Sequence, residues 1–207
     1  GAIFPTPTVG MLGVVDDLET QPTTADLKQP GDVLFLLSPT GWCHADSIGA
    51  SEYLSFVHDR TMGDAPHLAL DEEVAVQDAT RALIKNGIVQ HAHDVSDGGL
   101  AVCLAESAIH SGTLGLDVDL PEAGDSCLDA VLFGEAQSRV VLSVQPGDVE
   151  ALEDALADRD GVQAHRLGAV TDDASIRLAV GGTPVVETDR SALADPYESA
   201  IPDAVGS

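Results

Sequence analysis

The residues best suited to chemistry lie together in one short segment, His93 to Leu100, which reads HDVSDGGL. The run before it is typical of a β-strand and the apolar residues after it recur at helical spacing, so the segment lies where a strand passes into a helix. Gly98 and Gly99 allow a ligand to approach the backbone closely. The free N–H groups in the first turn of a helix attract an anion, so the segment is a candidate phosphate-binding turn.

Two carboxylates, Asp94 and Asp97, belong to the same segment. Beside a phosphate they would repel it, so they suit such a site only with Mg²⁺ between them and the ligand. The alternative is purely structural: Asp97 caps the helix, the glycines make a tight turn, and nothing binds. The local pattern alone favours this simpler alternative and leaves the metal-phosphate site open.

Two further combinations involve the same strand. His91 and His93 form an H-x-H pattern whose side chains point the same way, but no third metal ligand follows at a suitable spacing, which favours structural histidines. Ser96 has His93 and Asp94 as neighbours, but a nucleophilic triad depends on geometry, and adjacent residues on an extended chain diverge. We therefore expect no triad and assign no catalytic residue.

The three cysteines, Cys43, Cys103 and Cys127, lie far apart in the sequence. Without a C-x-x-C spacing they indicate neither a zinc site nor a disulfide framework. We expect all three to be small buried residues.

The charge balance of the chain is extreme, with 35 acidic side chains against 9 basic ones and a formal net charge of −26. The acidic residues are spread along the chain, which favours adaptation to high salt over an acidic tail for a basic partner, because molar salt screens the self-repulsion. Nucleic acids and anionic membranes are unfavourable partners, since both need clustered Lys and Arg. No apolar run reaches the roughly 20 residues of a membrane span, so we expect a cytoplasmic protein.

The hydrophobic periodicity predicts alternating helices and strands with short connections, hence an α+β fold with helices packed on a mixed sheet. The predicted strands are 8–15, 32–38, 88–93, 114–120, 139–144 and two or three within 162–187. The predicted helices are a short one capped by Ser51, one from 71 to Gly87, one following Gly99, 128–133 and 147–158. Pro30-Gly31 marks a seam, so we place a domain boundary near residue 30. The apolar opening of the chain, without an initiator Met, suggests that it begins inside a longer polypeptide.

At the HDVSDGGL segment the sequence resembles a known family, the formylglycinamidine ribonucleotide synthetases (synthetase subunit), and specifically their C-terminal portion. The resemblance runs over Ala92–Val102 and Leu104–Ala108. Three more pieces follow the family's order, Pro5–Gly13, Gly49–Leu54 and Leu132–Arg139. In this family two tandem halves each contain an ATP-binding domain and a smaller α/β domain. The resemblance implies that residues 1–30 are the last strand and linker of the second ATP-binding domain, and that residues 31–207 are the second smaller domain.

The family's reaction, by implication, is an ATP-dependent ligation that converts formylglycinamide ribonucleotide and glutamine to the formylglycinamidine ribonucleotide in purine biosynthesis. ATP and Mg²⁺ would be bound mainly by upstream domains. The implied partners are the rest of the synthetase chain, a glutaminase subunit and a small bridging subunit. The principal catalytic histidines of the family lie in its first half, so the fragment alone is expected to be inactive.

Some site residues carry over by resemblance. Asp94 matches a magnesium-binding Asp of the first half, and Glu135-Ala136-Gln137 matches a substrate-contacting Glu-Ser-Gln in which Ala136 replaces Ser. With Asp97, Gly98 and Gly99, the residues Glu135 and Gln137 form the expected substrate or phosphate site. Two alternatives stay open: the domain is a non-catalytic structural or interaction module, or the chain is an ATP-using relative that resembles thiamine monophosphate kinase. Gly98-Gly99 and the Glu52-Tyr53 segment argue against the kinase, whose motif has one glycine fewer.

Overall fold

The computed structural model describes residues 9–14, 22–122, 124 and 127–206. Its strands are β1 (Val33–Pro39), β2 (Val89–Asp94), β3 (Gly115–Leu120), β4 (Val140–Val144), β5 (Val162–Thr171), β6 (Ser175–Val180) and β7 (Thr183–Asp189). Its helices are α1 (Glu52–His58), α2 (Leu70–Lys85), α3 (Gly99–Ser111), α4 (Leu128–Phe133), α5 (Val149–Leu156) and α6 (Arg190–Val205). Two short 3₁₀ turns lie at Ala45–Ile48 and Pro146–Asp148.

The strands form one mixed sheet in the order β2-β4-β1-β5-β3-β6-β7. Neighbouring strands are antiparallel except for β3 and β6, which run parallel. Parallel strands need a long crossover connection, and the chain provides one between β3 and β6 through α4, β4, α5 and β5. The predicted mixed sheet with packed helices is therefore confirmed.

Alternate residues of β1 show how the sheet builds two cores. Leu34 and Leu36 pack in one core with side chains of α3 and α4. Val33, Phe35 and Leu37 point to the other face and pack with side chains of α2 and α5. Because side chains alternate along a strand, the apolar run 33–37 of β1 can fill both cores at once. The sheet is thus covered by helices on both faces, and β1 lies near its centre.

Residues just before the predicted boundary also contact this domain. Thr24 forms a parallel β-bridge with His91 at the edge of β2, where the Ala92 N–H donates to the Thr24 carbonyl at 3.1 Å. Leu27 is buried in the core with α3, and its N–H donates to the carbonyl of Ser107 at 3.2 Å. The boundary near residue 30 stays a prediction, but Thr24 and Leu27 contact elements of the domain that follows it.

One sequence prediction fails here, and one helix was not predicted. The strand predicted at 8–15 is wrong for residues 9–14, which form no strand and are exposed; Thr8 and Val15 lie outside the described residues. A strand needs a paired neighbour, and none of the described strands pairs with this segment. Helix α6 was not expected, because it contains Pro196 and Pro202, and proline normally disrupts a helix interior. Packing against the core through Ala194, which is buried, favours the helix nonetheless.

The cysteine prediction holds in part. Cys43 and Cys103 are buried, whereas Cys127 is exposed. Cys127 stands at the N-terminal cap position of α4 and is exposed, so the prediction that it is buried is wrong.

Candidate functional site

The segment that the sequence singles out forms the connection between β2 and α3, which we call the β2–α3 turn (residues 94–99). β2 ends at Asp94, and α3 begins at Gly99. The Asp94 side chain is 77% exposed, and its Oδ2 accepts a hydrogen bond of 2.5 Å from the Ser96 hydroxyl. Asp94 is therefore held at the surface by a local bond and keeps oxygen lone pairs free for a ligand.

The two glycines of the turn are required by packing. Gly98 and Gly99 have φ angles of +80° and +72°, in the left-handed region that favours glycine. A Cβ on Gly99 would lie 2.7 Å from the carbonyl carbon of Phe133, and one on Gly98 would lie 2.7 Å from Cγ2 of Val102. The backbone that approaches Gly99 so closely is thus the end of α4. In this chain, packing within the protein is therefore enough to explain the glycine pair.

The N-terminus of α3 is closed by a carboxylate from elsewhere in the chain. The Gly98 N–H donates to Oε1 of Glu135 at 2.9 Å. The same oxygen accepts the N–H of Glu52, the first residue of α1, at 2.9 Å. The structural alternative in which Asp97 caps α3 is wrong, because Gly98 occupies the cap position and offers no side chain. Glu135 supplies the anion that the sequence led us to expect from a ligand.

Glu135 belongs to a short segment between α4 and β4 that we call the Glu135 loop (residues 134–139). Its Gln137 side chain donates from Nε2 to the carbonyl of Glu135 at 3.3 Å. Ser138 adopts a left-handed conformation with φ +62°, and its hydroxyl donates to Oε2 of Glu73 on α2 at 2.5 Å. The loop therefore contacts α1, α2 and α3, three helices that are separate in the sequence.

Three cavities surround Gln137, which lines all of them. The first, of about 330 Å³, is lined by Asp97, Ser96 and Glu135 together with Ala65 and Pro66. The second, also of about 330 Å³, shares Ser96 with the first and is lined by Asp94, Gln77 and Arg139. The third, of about 280 Å³, contains Trp42, His44 and His67. The structure thus brings Asp94, Asp97, Glu135 and Gln137 to one region but divides the first two between different cavities.

The charges around these cavities are mainly negative. Each cavity is lined by two carboxylates, which are Asp97 and Glu135, Glu73 and Asp94, and Asp46 and Glu72 respectively. Among the described residues no group of three His, Cys, Asp or Glu side chains is placed to hold a metal ion. Mg²⁺ commonly uses one or two carboxylates with waters and ligand phosphates, so Asp94 fits as a single protein ligand for a phosphate-bound ion.

The two histidines of β2 have structural surroundings, as the sequence favoured. His91 is fully buried, and its Nε2 lies 3.0 Å from the Ser107 hydroxyl. Burial lowers the pKa of His91 to about 4, so its imidazole is neutral at physiological pH. His93 lies with Nε2 3.4 Å from Glu106 and its ring is parallel to that of His110, the centroids being 6.3 Å apart. Both side chains tie β2 to α3.

Sequence reasoning missed two residues that matter to this geometry. Ser96 was considered only as a nucleophile, yet it orients Asp94 and lines two cavities. Arg139 was read as part of a family motif without a role, yet it is buried beneath the Glu135 loop. A basic residue at the start of an apolar strand, directly after a polar loop, was the available signal for Arg139.

The family model for the C-terminal domain of AIR synthase related proteins matches residues 29–181. The chain belongs to this family. A curated relative, the phosphoribosylformylglycinamidine synthase subunit PurL of Salinibacter ruber, is 67% identical over 205 residues, which is 99% of this chain and 27% of that protein. PurL of Deinococcus radiodurans is 43% identical over 181 residues, 86% of this chain and 23% of that protein. The chain therefore spans about a quarter of the length of these relatives.

Solved structures share the fold. Thermotoga maritima PurL complexed with FGAR superposes with a TM-score of 0.72 at 18% identity, covering 83% of this chain and 29% of that one. Escherichia coli HypE, a hydrogenase maturation protein, gives a TM-score of 0.54 at 18% identity, covering 81% of this chain and 51% of that one. At such identities the likeness shows the fold alone, and it agrees with the α+β class predicted above. None of the described helices is long and apolar enough to cross a membrane.

Proposed function

We propose that the chain is the C-terminal portion of a PurL-type formylglycinamidine ribonucleotide synthetase, a ligase of purine biosynthesis. The whole enzyme would use ATP to convert formylglycinamide ribonucleotide and glutamine to the amidine, with release of glutamate, ADP and phosphate. The observation that carries the proposal is the 67% identity to a PurL subunit along 99% of the chain. The family model and the PurL fold support it independently.

In this proposal residues 31–207 are the second of the enzyme's two smaller domains, and residues 1–30 are the end of its second ATP-binding domain with the linker. The exposed apolar side chains of residues 9–14 suit a segment that pairs with another domain. Residues 24 to 27 would then be the part of the linker that is fixed to the smaller domain, since Leu27 is buried in its core.

We assign the candidate site residues two kinds of role. Asp94, Asp97 and Gln137 line the cavities and would face a ligand, with Asp94 on a Mg²⁺ ion carried by ATP phosphates. Glu135, Gly98 and Gly99 would build the site, because Glu135 is bonded to two backbone amides and Gly99 packs on α4. Mg²⁺ would neutralise phosphate charge beside these acidic walls.

The proposed partners are the rest of the synthetase chain, a glutaminase subunit and a small bridging subunit. A Thermotoga maritima structure named PurLQS shows that one PurL is found in a complex. Other Thermotoga maritima PurL structures were solved with ATP, AMPPCP and ADP, which supports ATP as the nucleotide. We propose a cytoplasmic enzyme, and the net charge of −26 supports adaptation to high salt.

A second candidate function is a supporting module that binds no ligand of its own. The specific observation in its favour is that Glu135 already accepts the N–H of Gly98 at the N-terminus of α3. A ligand phosphate could reach this amide only by displacing the carboxylate. In that case the domain would contribute stability and subunit contacts, and the chemistry would take place in the upstream domains.

The proposed activity can be tested by exchanging segments. Residues 1–207 would replace the aligned segment of Salinibacter ruber PurL, and amidine formation would be assayed with the glutaminase partner in molar KCl. We expect the chimera to keep activity within about tenfold of the parent. A folded chimera without activity would contradict the assignment.

The two candidate roles of the domain are separated by isothermal titration of the 207-residue chain with Mg·ATP and with formylglycinamide ribonucleotide in molar KCl. A working site predicts heat with Mg·ATP that Asp94→Asn weakens at least tenfold. Asp160→Asn is the matched control, because it makes the same charge change at an exposed position away from the cavities. No heat from a folded sample would favour the supporting module.

A further inference from the structure

The Glu135 loop has an unusual backbone, because three consecutive carbonyl groups are each bonded by a side chain of the loop itself. Arg139 donates from Nη2 to the carbonyl of Gly134 at 2.6 Å and from Nε to that of Ala136 at 2.9 Å. The carbonyl between them, of Glu135, accepts from Gln137 at 3.3 Å. The guanidinium group thus holds the carbonyl groups of the two residues on either side of Glu135.

Arg139 does this from inside the protein. Its residue is only 3% exposed, and burial lowers the pKa of the guanidinium to about 10, so the group stays charged at neutral pH. Burying a cation is costly unless its N–H groups find acceptors, and here two loop carbonyls accept from Nε and Nη2, whereas Nη1 is buried without a hydrogen-bond partner. A planar fork that reaches two carbonyls at once is a property of arginine that lysine lacks.

The consequence appears at Glu135. Its N–H donates to the carbonyl of Ser47 at 2.9 Å, so the backbone on which its side chain stands is fixed from three directions. From this position a single carboxylate oxygen accepts the N–H groups of Glu52 and Gly98. Two helices, α1 and α3, therefore begin at a point that depends on the loop geometry.

We propose that Arg139 is a positioning residue, which holds the Glu135 loop so that Glu135 closes the N-termini of α1 and α3 and Gln137 stands where the three cavities meet. The role of Arg139 in placing Gln137 as a ligand contact rests on the proposed function. Its role in placing Glu135 does not depend on any ligand. Arg139 itself acts through the loop, and the groups that would face a ligand are those that it places.

The test is amide hydrogen exchange on the 207-residue chain in molar KCl, comparing the wild type with Arg139→Lys. We expect the Gly98 and Glu52 amides to exchange at least tenfold faster in the variant, although Glu135 is intact. Leu36, fully buried in β1, is the internal reference and should change less than threefold. Arg159→Lys is the matched control, because Arg159 also donates from Nε to a backbone carbonyl, that of Ala155 at 3.2 Å.

The same experiment on Glu135→Ala and on Arg139→Lys/Glu135→Ala completes a double-mutant cycle. If Arg139 acts through Glu135, the double variant exchanges at Gly98 and Glu52 no faster than Glu135→Ala alone. Wild-type protection of these two amides in Arg139→Lys would overturn the proposal. So would an equal loss at Leu36, because that would indicate a general loss of stability.

A wild-type measurement keeps the proposal testable if Arg139→Lys fails to fold. The Nε–H of Arg139 should be observable by NMR and protected from exchange at least a hundredfold more than that of Arg159. Equal exchange of the two Nε–H groups would overturn the proposal. None of these measurements uses a ligand, so their failure is distinct from a failure of the titration with Mg·ATP.

Discussion

The β2–α3 turn and the Glu135 loop meet at the N-terminus of α3, yet they are held in different ways. The turn carries the carboxylates Asp94 and Asp97, which could contact a ligand. Asp94 is hydrogen-bonded only locally, to Ser96, and is mostly exposed. The loop is held by a buried cation and contacts three helices. The residues available to a ligand are therefore different from those that shape the site, and this division can be tested.

The largest effect is expected where the two regions touch, at Gly99. Gly99→Ala combines a positive φ with a Cβ only 2.7 Å from backbone of α4, and we expect it to lower the free energy of unfolding by roughly 3–5 kcal/mol. Denaturant unfolding in molar KCl would measure this. Gly87→Ala is the matched control, since Gly87 has a φ of +71° and nothing within 4 Å of its added Cβ. Its cost should be about 1 kcal/mol, and equal costs would show that packing against α4 is unimportant.

The next effect concerns the strand that leads into the turn and depends on pH. Burial lowers the pKa of His91 to about 4, below its ordinary value of 6.5. Between these two values the unfolded chain binds a proton that the folded chain does not, so the stability contribution is complete above pH 6.5 and falls as the pH falls toward 4. The loss should reach up to about 3 kcal/mol.

Unfolding midpoints of the wild type and His91→Gln, measured from pH 7.5 to 4.5, would check this. The difference between the two proteins isolates His91, because the carboxylates titrate in both. We expect the wild type to lose more stability than the variant as the pH falls. Parallel pH profiles would mean that folding does not lower the pKa of His91.

Removal of the shared cap should have a smaller effect. Glu135→Ala leaves two helix N-terminal amides without their carboxylate, and we expect a loss of about 1–2 kcal/mol. Glu153→Ala removes an exposed carboxylate in the middle of α5 and should change stability by less than about 0.5 kcal/mol. Thermal unfolding of both variants in molar KCl gives the comparison. A similar small change in both would mean that Glu135 is not a cap in solution.

The sequence predicted most elements of the fold because their signals are local. Apolar runs and spacing placed α4 at its observed bounds, and Ser51 accepts the Leu54 N–H at 3.3 Å as the expected cap of α1. Asp97 was the wrong cap, because the group that closes α3 comes from Glu135, far away in the sequence. Helix α6 was missed since its prolines contradict the local preference, which packing through Ala194 overrides.

The candidate site was predictable in its residues but not in its division of labour. Asp94, Asp97, Glu135 and Gln137 do lie in one region, as the motifs indicated. Sequence spacing does not indicate which of these side chains form hydrogen bonds within the protein and which remain available to a ligand. That depends on Arg139 and on the approach of α4 to Gly99, both of which are tertiary contacts.

The smallest effect on stability should come from Asp94, an exposed residue assigned to face a ligand. Asp94→Asn keeps an oxygen that can accept the Ser96 hydroxyl and changes a side chain that is 77% exposed, so we expect less than about 0.5 kcal/mol in unfolding free energy. Asp160→Asn makes the same charge change elsewhere, so the two variants relieve the acid self-repulsion alike. A loss of more than about 1 kcal/mol for Asp94→Asn alone would show that Asp94 supports the turn. The division between residues that face a ligand and residues that build the site would then fail at Asp94.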